Sequence, residues 1–540
     1  MLVATTLSMA IVFAFMYLQG RNAPPRPPGS AGAPAPAAAT KAPAPPAAPP
    51  PAAAAASPAP APAVEGPEET LALETSEFKV TFTSLGGAVK SVELKGRKFE
   101  RDVNGTATPV DLVRVVEGEP FPLALAASSE LGGSGRLVED PGARVGMKIV
   151  AHDEKSVTFE GRVGSAEVMK HFFLGERPYE IGLDLKASAP GKGDLYLLEP
   201  GYQPPNAVKP GLLSGGEVVE TVTPLCRVAG KTERFKGKEA RETFEGTPSF
   251  TGLDQRYFVS AVLATPETGK CLFFRGPTAG EQGSALELPF DRSLDLTFKV
   301  FVGPKQLDLL KAEGHGLESA VDYGAITNFF SFFASALLFV MKVLQGFVKN
   351  WGVSIILLTF VVKALLYPLT AKSMQSMNEM RKLQPEIEKL KEKFGSDKEK
   401  LNMAVMQLYQ QHKVNPLGGC LPMLIQMPIW FALYATLQTS VELYHEPFLW
   451  LHDLTRYDPY YILPLAMGAS SFLMQKISPQ PADNAQAKML LYFMPIFFTF
   501  IMLKLPSGLT LYILVNNLLS IAQQQWLMRR HPPATATAKA

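Results

Sequence analysis

Asn350 to Leu369 reads NWGVSIILLTFVVKALLYPL, an apolar run carrying one charge, Lys363. Roughly 17 to 25 apolar residues cross the bilayer hydrocarbon as a helix, so Val353 to Thr370 within this stretch reads as a membrane span. A lysine inside a span costs at least ~2.5 kcal/mol and requires a reason. One reason is snorkelling, with the ammonium reaching the headgroups along its aliphatic stem. The other is a wet surface inside the protein. Thr359, Lys363 and Tyr367 fall at i, i+4 and i+8, one stripe of an otherwise apolar helix, which favours the second.

Further along, the chain repeats this spacing. Gln426, Trp430 and Tyr434 form a stripe within the apolar segment Leu421 to Leu437, and Tyr512, Asn516 and Ser520 within Leu509 to Leu527. Each stripe alone would serve hydrogen bonding between helices. Three of them with a lysine point to an inward-facing polar cavity. Two more apolar segments, Tyr460 to Met474 and Met489 to Leu505, are short for spans at 15 and 17 residues, and short helices thin the bilayer around them. No Asp or Glu occurs in any of the five segments, so Lys363 has no counter-ion within them. Ion-coupled transporters place carboxylates at membrane depth, so that class loses ground.

Topology follows from basic residues. Nine Lys or Arg lie between Ala371 and Asn415, whereas the loop after Leu437 carries only Arg456 before Tyr460. The positive-inside rule therefore puts 371–415 in the cytoplasm. Ile326 to Val348 is apolar enough for another span, but a span there would carry the preceding domain into the cytoplasm too. Phe330, Phe333, Leu337, Val340, Leu344 and Phe347 recur at helical spacing, so residues 321–350 are expected to hold an amphipathic helix in the outer interface. With an uncleaved N-terminal anchor over residues 1–20, preferred to a signal peptide because no basic stretch precedes its apolar run, six spans result, with both termini inside.

Residues 21–65 are almost entirely Pro and Ala, a spacer that at ~3.1 Å per residue reaches on the order of 120 Å. Residues 66–320 change to short alternating runs such as Phe78, Val80 and Phe82, broken by Gly, Pro and Asp, the pattern of an all-β sandwich. This region has no nucleophile elbow, HExxH or phosphate loop, and its His152, His171 and His315 stand apart, so no enzyme, metal or cofactor site is expected. Cys226 and Cys271 are equally readable as a pair formed in an oxidising compartment or as two free thiols. Net charge is +2, from Lys+Arg 52 against Asp+Glu 50, without the basic excess of direct nucleic-acid recognition.

The cytoplasmic insert, residues 372–415, reads as a helical hairpin. Met380, Leu383, Ile387, Leu390 and Phe394 follow 3,4 spacing, Gly395 ends that helix, and Ser396 with Glu399 forms a capping box opening a second. A short tail covers 531–540.

These segments closely resemble the YidC family of membrane protein insertases in its Gram-negative form. The resemblance rests on the quoted 350–369 run, VNPLGGCLPMLIQMPIWFALY from Val414, DPYYILPLAMG from Asp458, QKISPQ from Gln475 and PSGLTLYILVNN from Pro506. It is weaker in the β region, through GLDQRYFVSA from Gly252 and KVFVGPKQLDLL from Lys299. It implies a multi-pass protein of the bacterial inner membrane with a five-helix insertase core over residues 351–530. That core encloses a hydrophilic groove open to cytoplasm and lipid, and a large periplasmic β-supersandwich precedes it. The family's groove cation, usually Arg, matches Lys363 here, which keeps the charge without the bidentate geometry. Thr359, Met427, Trp430 and Ile501 fall on groove or substrate-contact positions, and Ile513 stands where some relatives have Tyr. Implied partners are nascent membrane proteins, the SecYEG and SecDF components of the Sec translocon, ribosomes and targeting factors at the hairpin, and membrane lipids. The rival functions are a small-solute transporter or channel with a periplasmic β domain, and a β-domain enzyme anchored by helices.

Overall fold

The computed structural model describes residues 67–103, 106–116, 118–134, 136–203, 221–237, 239–276, 278–322, 331–395, 397–412, 414, 421–477 and 485–530. The expected anchor, the Pro/Ala spacer, the tail and Ser396 lie outside them.

The alternating segments form antiparallel sheets. Nine strands run in the order Lys231–Arg234, Val222–Val228, Pro248–Gln255, Phe258–Leu263, Ser293–Pro304, Glu180–Ser188, Ala166–Leu174, Ser156–Val163 and Lys148–His152. Five more run in the order Arg241–Phe244, Cys271–Arg275, Glu281–Phe290, Gly193–Tyr202 and Leu125–Ala127. A third sheet holds Thr70–Glu74, Phe78–Thr83 and Ala88–Leu94. Because side chains alternate along a strand, each sheet sends one apolar row inward. Phe82, Phe159, Phe172, Leu197, Leu288 and Phe298 meet in a single core between the sheets. Cys226 and Cys271 are disulfide-bonded, fastening the nine-stranded sheet to the five-stranded one and settling the alternative that the sequence left open.

Two ionisable side chains, Lys170 and Glu199, are buried almost completely inside this domain. Lys170 is fully buried and donates to the carbonyls of Gly86 at 2.8 Å, Gly87 at 3.0 Å and Leu123 at 2.6 Å. Three acceptors match the three donors of an ammonium. Glu199 accepts from the Ser260 hydroxyl at 3.0 Å through one carboxylate oxygen and buries the other.

After the sheets come the helices α1 (Leu307–Glu313), α2 (Ser331–Val348), α3 (Trp351–Lys382), α4 (Gln384–Phe394), α5 (Lys398–Gln411), α6 (Leu421–Thr439), α7 (Ile462–Ile477), α8 (Ala485–Met502) and α9 (Ser507–Arg530). The expected apolar segments of the bundle lie, among the described residues, on helices, except Tyr460 and Tyr461 ahead of α7 and residues 503–505 after α8; residues 1–20 and 326–330 lie outside the described residues. Among the described residues one helical stretch is both long and apolar enough to cross a membrane by itself, Trp351–Ser376 in α3. α2 buries Ala334, Leu338 and Met341 while Phe332, Phe333, Phe339 and Phe347 face outward. Of the stripe expected from Phe330 to Phe347, Phe330 lies outside the described residues, Leu337, Val340 and Leu344 pack inward, and Phe333 and Phe347 do not. The helix is mostly apolar but carries Lys342, and it meets α6 at Ala334, whose carbonyl lies 3.4 Å from the Thr436 hydroxyl, itself donating to the Ala432 carbonyl at 2.9 Å.

The hairpin differs in its boundaries. Met380 belongs to α3, which continues unbroken to Lys382, and the turn falls at Leu383, ahead of Pro385 in the first turn of α4. Proline lacks the N–H that a first turn leaves unused anyway, so it starts a helix well and continues one badly. The α5 cap is Asp397, whose carboxylate accepts from the Lys400 N–H at 3.1 Å. Leu383, Ile387, Leu408, Tyr409 and Val414 close the seam between α4 and α5.

The loop joining α6 to α7 docks into the β domain. Val441 and Tyr444 enter the same core as Phe258, and the Tyr444 ring lies 4.8 Å from Tyr257. Arg256 donates to the Gln438 carbonyl at 3.0 Å, and Lys98 to the Glu442 carbonyl at 2.7 Å. Burial lowers the Lys98 ammonium's pKa, against the pull of Glu446 and Glu442. The start of α9 is tied to the same loop, Ser507 N–H to the Arg456 carbonyl at 2.6 Å and Gly508 N–H to Leu454 at 2.9 Å. Phe448 covers Gly352 at the start of α3, so closely that a Cβ there would lie 2.2 Å from the ring. The beginnings of α3, α7 and α9 and the end of α6 therefore gather at the β-domain end of the bundle.

Candidate functional site

An apolar cluster lies at that gathered end. Trp351, Ile355, Leu358, Leu437, Leu454 and Leu509 are buried together, sealing the bundle beneath the β domain. Farther from it Lys363, Gln426 and Asn516 come together among apolar neighbours. A pocket there is lined by Val362, Lys363, Leu366, Leu369, Thr370, Gln426 and Asn516, with room for about one ordered water.

Lys363 donates to the Ser520 hydroxyl of α9 at 2.7 Å, and Ser520 donates to the Asn516 carbonyl at 2.7 Å. One turn on, Gln523 donates to Thr370 at 3.1 Å, tying α9 to α3 a second time. Among the described residues no carboxylate pairs with Lys363.

The structure brings together three of the residues singled out in the sequence, Lys363, Gln426 and Asn516, at one pocket. Tyr512 is buried in the apolar cluster and outside the pocket lining. Thr359 shares the stripe but not the pocket: it is buried, and its hydroxyl donates to the Ile355 carbonyl at 2.8 Å, a helix-internal bond. Tyr367 is 41% exposed and stands outside the pocket lining. Trp430 and Tyr434 stack at 6.3 Å between ring centres and, with Ile501, pack on the apolar cluster, while Met427 is half-buried. Thr370, Leu366 and Leu369 join the pocket although the sequence did not single them out. The signal for Thr370 was available, since it lies seven residues, two turns, past Lys363.

Outside the pocket, the bundle surface is apolar. Phe360 and Leu365 of α3, Leu465 of α7 and Ile496, Phe498 and Phe500 of α8 are exposed large side chains. A belt of this extent on a protein surface marks contact with a membrane or another protein.

Residues 70–340 match the YidC periplasmic domain and residues 343–534 the 60Kd inner membrane protein family. A membrane protein insertase YidC from Anaeromyxobacter sp. (strain Fw109-5) is 60% identical over 479 residues, 88% of this chain and 87% of its own length. The chain belongs to the YidC membrane protein insertase family. A second YidC, from Anaeromyxobacter dehalogenans (strain 2CP-C), is 56% identical over 545 residues, covering 100% of this chain and 98% of its own. A crystal structure of an active YidC insertase with its first transmembrane domain resolved is 20% identical, with a TM-score of 0.38 over 85% of this chain and 92% of that one. As a YidC-family member, the chain is an inner-membrane protein whose β domain is periplasmic.

Proposed function

We propose that this chain inserts nascent membrane proteins through the polar pocket around Lys363, acting as an insertase and membrane chaperone without nucleotide, metal or other cofactor. The observation that supports the reading is the position of that lysine, hydrogen-bonded to Ser520 within the bundle beside Gln426 and Asn516. A substrate's polar, often acidic, extracytoplasmic end would enter from the cytoplasm and rest beside the ammonium, shortening the apolar distance it must cross. Its hydrophobic segment would slide into lipid along α6 and α8, the third and fifth spans. Burial of that segment, together with the membrane potential, supplies the drive.

In this reading α3, α6, α7, α8 and α9 are five spans, α2 lies in the outer interface, and the N-terminal segment anchors the chain as a sixth. The alternating helix directions implied by the shared docking loop support it. The α4–α5 hairpin then lies in the cytoplasm, where its basic surface would meet ribosomes and targeting factors, and Sec translocon components would share substrates with the core. The pocket has room for about one water, so a substrate requires the helices to part.

The test is Lys363→Glu in cells depleted of the native insertase, scoring insertion of a short single-span substrate with an acidic periplasmic end. Loss of insertion with normal accumulation of the variant is expected; full insertion would overturn the charged-pocket reading.

A further inference from the structure

We propose that Ser520 is the positioning residue that keeps the Lys363 ammonium inside the bundle, and that this contact makes the chain favour substrates with acidic extracytoplasmic ends. The inference rests on the insertase reading above.

Depth is the first observation. α3 and α9 both begin at the β-domain end, and Lys363 is 12 residues past Trp351 while Ser520 is 13 past Ser507. At ~1.5 Å per residue the two sit about 18 and 20 Å along their helices, comparable distances from the ends that face the β domain. Lys363 reaches across to α9. A snorkelling lysine would run along its own helix toward the headgroups.

Hydrogen-bond direction is the second. The Ser520 proton is committed to the Asn516 carbonyl, so toward Lys363 the hydroxyl oxygen can only accept. An ammonium has three donors, and this contact uses one. The others lie against the pocket of Gln426, Asn516 and Thr370, where an arriving carboxylate would find them. Gln523 to Thr370, three residues past Ser520 and seven past Lys363, ties the same two helices together again.

Without Ser520 the stem would be free to turn toward the headgroups, and the pocket would lose its charge while keeping its shape. A residue of purely structural importance would depress insertion of every substrate equally, whereas this one should change their ratio.

The full chain in proteoliposomes is given a single-span substrate whose extracytoplasmic end carries Asp, and its counterpart with Asn. Ser520→Ala is expected to lower insertion of the Asp form roughly five- to tenfold, the scale of one hydrogen bond to a charged group. The Asn form should be unchanged, Ser520→Thr should restore the ratio, and Ser520→Ala should add nothing in a Lys363→Ala background. If the alanine variant fails to fold, judged by its melt in detergent, Ser520→Cys keeps the volume with a poorer acceptor and should show the same selective loss. Collapse of the Asp preference in Lys363→Ala with a normal preference in Ser520→Ala would overturn this inference alone. A normal preference in Lys363→Ala would overturn the charged-pocket reading with it.

Discussion

The Lys342 ammonium on α2 stands 2.9 Å from the Glu442 carboxylate on the loop between α6 and α7, and 3.2 Å from Asp308 of α1. Three parts of the chain meet in this cluster: the end of the β domain, the helix that follows it, and the outer loop of the bundle. Asp308 lies in the KVFVGPKQLDLL stretch, and Lys305 of the same stretch pairs at 2.7 Å with Asp254 of GLDQRYFVSA. The two β-domain stretches that resemble the family most are thus its docking edge.

Glu442→Ala should loosen that edge. The glutamate side chain is 9% exposed and its loss leaves Lys342 with only the solvent-facing Asp308, at a cost of about 1–3 kcal/mol. The check is the thermal midpoint of the purified protein in detergent, with the reversed pair Lys342→Glu and Glu442→Lys recovering part of the loss. An unchanged midpoint would mean that the docking rests on Tyr444 and Val441 alone.

Stability of the β domain should pass through a minimum near neutral pH. Burial raises the Glu199 carboxyl from 4.5 to about 8, with Ser260 opposing. The folded state then holds a proton that the unfolded chain releases, so stability falls as pH rises from about 4.5 to 8. Burial lowers the Lys170 ammonium from 10.5 to about 7, so here the unfolded chain holds the extra proton and stability rises between about 7 and 10.5. Each limb is on the order of a few kcal/mol. Urea midpoints across this range should lose the acidic limb in Glu199→Gln and the alkaline limb in Lys170→Met; a flat profile in the wild type would refute both assignments.

How far the sequence carried the reading differs from part to part. Strand alternation and apolar segments place the β domain and every bundle helix, because burial of a face imposes a period on the chain. Lys363 stands out for the same reason, as one charge in an apolar run. Ser520 as its partner, and the exclusion of Thr359 from the pocket, depend on how two helices are turned against each other, which no single helix encodes. The docking loop was illegible for a related reason: Val441, Tyr444 and Glu442 show no period, and the partners that dock them lie 100 residues or more away. Spacing likewise could not decide between paired and free thiols at Cys226 and Cys271, since only the stacking of the two sheets brings them together.

That disulfide closes a loop with a sequence separation of 45 residues. Replacing both cysteines by serine should cost about 2–4 kcal/mol, most of it through a less restricted unfolded chain. In urea titrations of the purified protein, reductant should shift the wild-type β-domain transition to lower urea and leave the double variant unmoved. A reductant shift that persisted in the double variant would place the effect elsewhere.

Gly468 sets how closely α7 and α8 approach. A Cβ at this position would lie 2.1 Å from the Thr499 hydroxyl and 3.2 Å from its Cβ. Thr499 cannot turn aside cheaply, because it is β-branched and its hydroxyl donates to the Pro495 carbonyl at 2.7 Å. Gly468→Ala must therefore break that bond or part the helices, at about 1–3 kcal/mol for overpacking. Thr499→Ala removes the clashing oxygen, so it should recover most of the loss in the double variant while costing little alone. Thermal midpoints of the four proteins in detergent give the coupling, and simple additivity of the two substitutions would rule out the close contact.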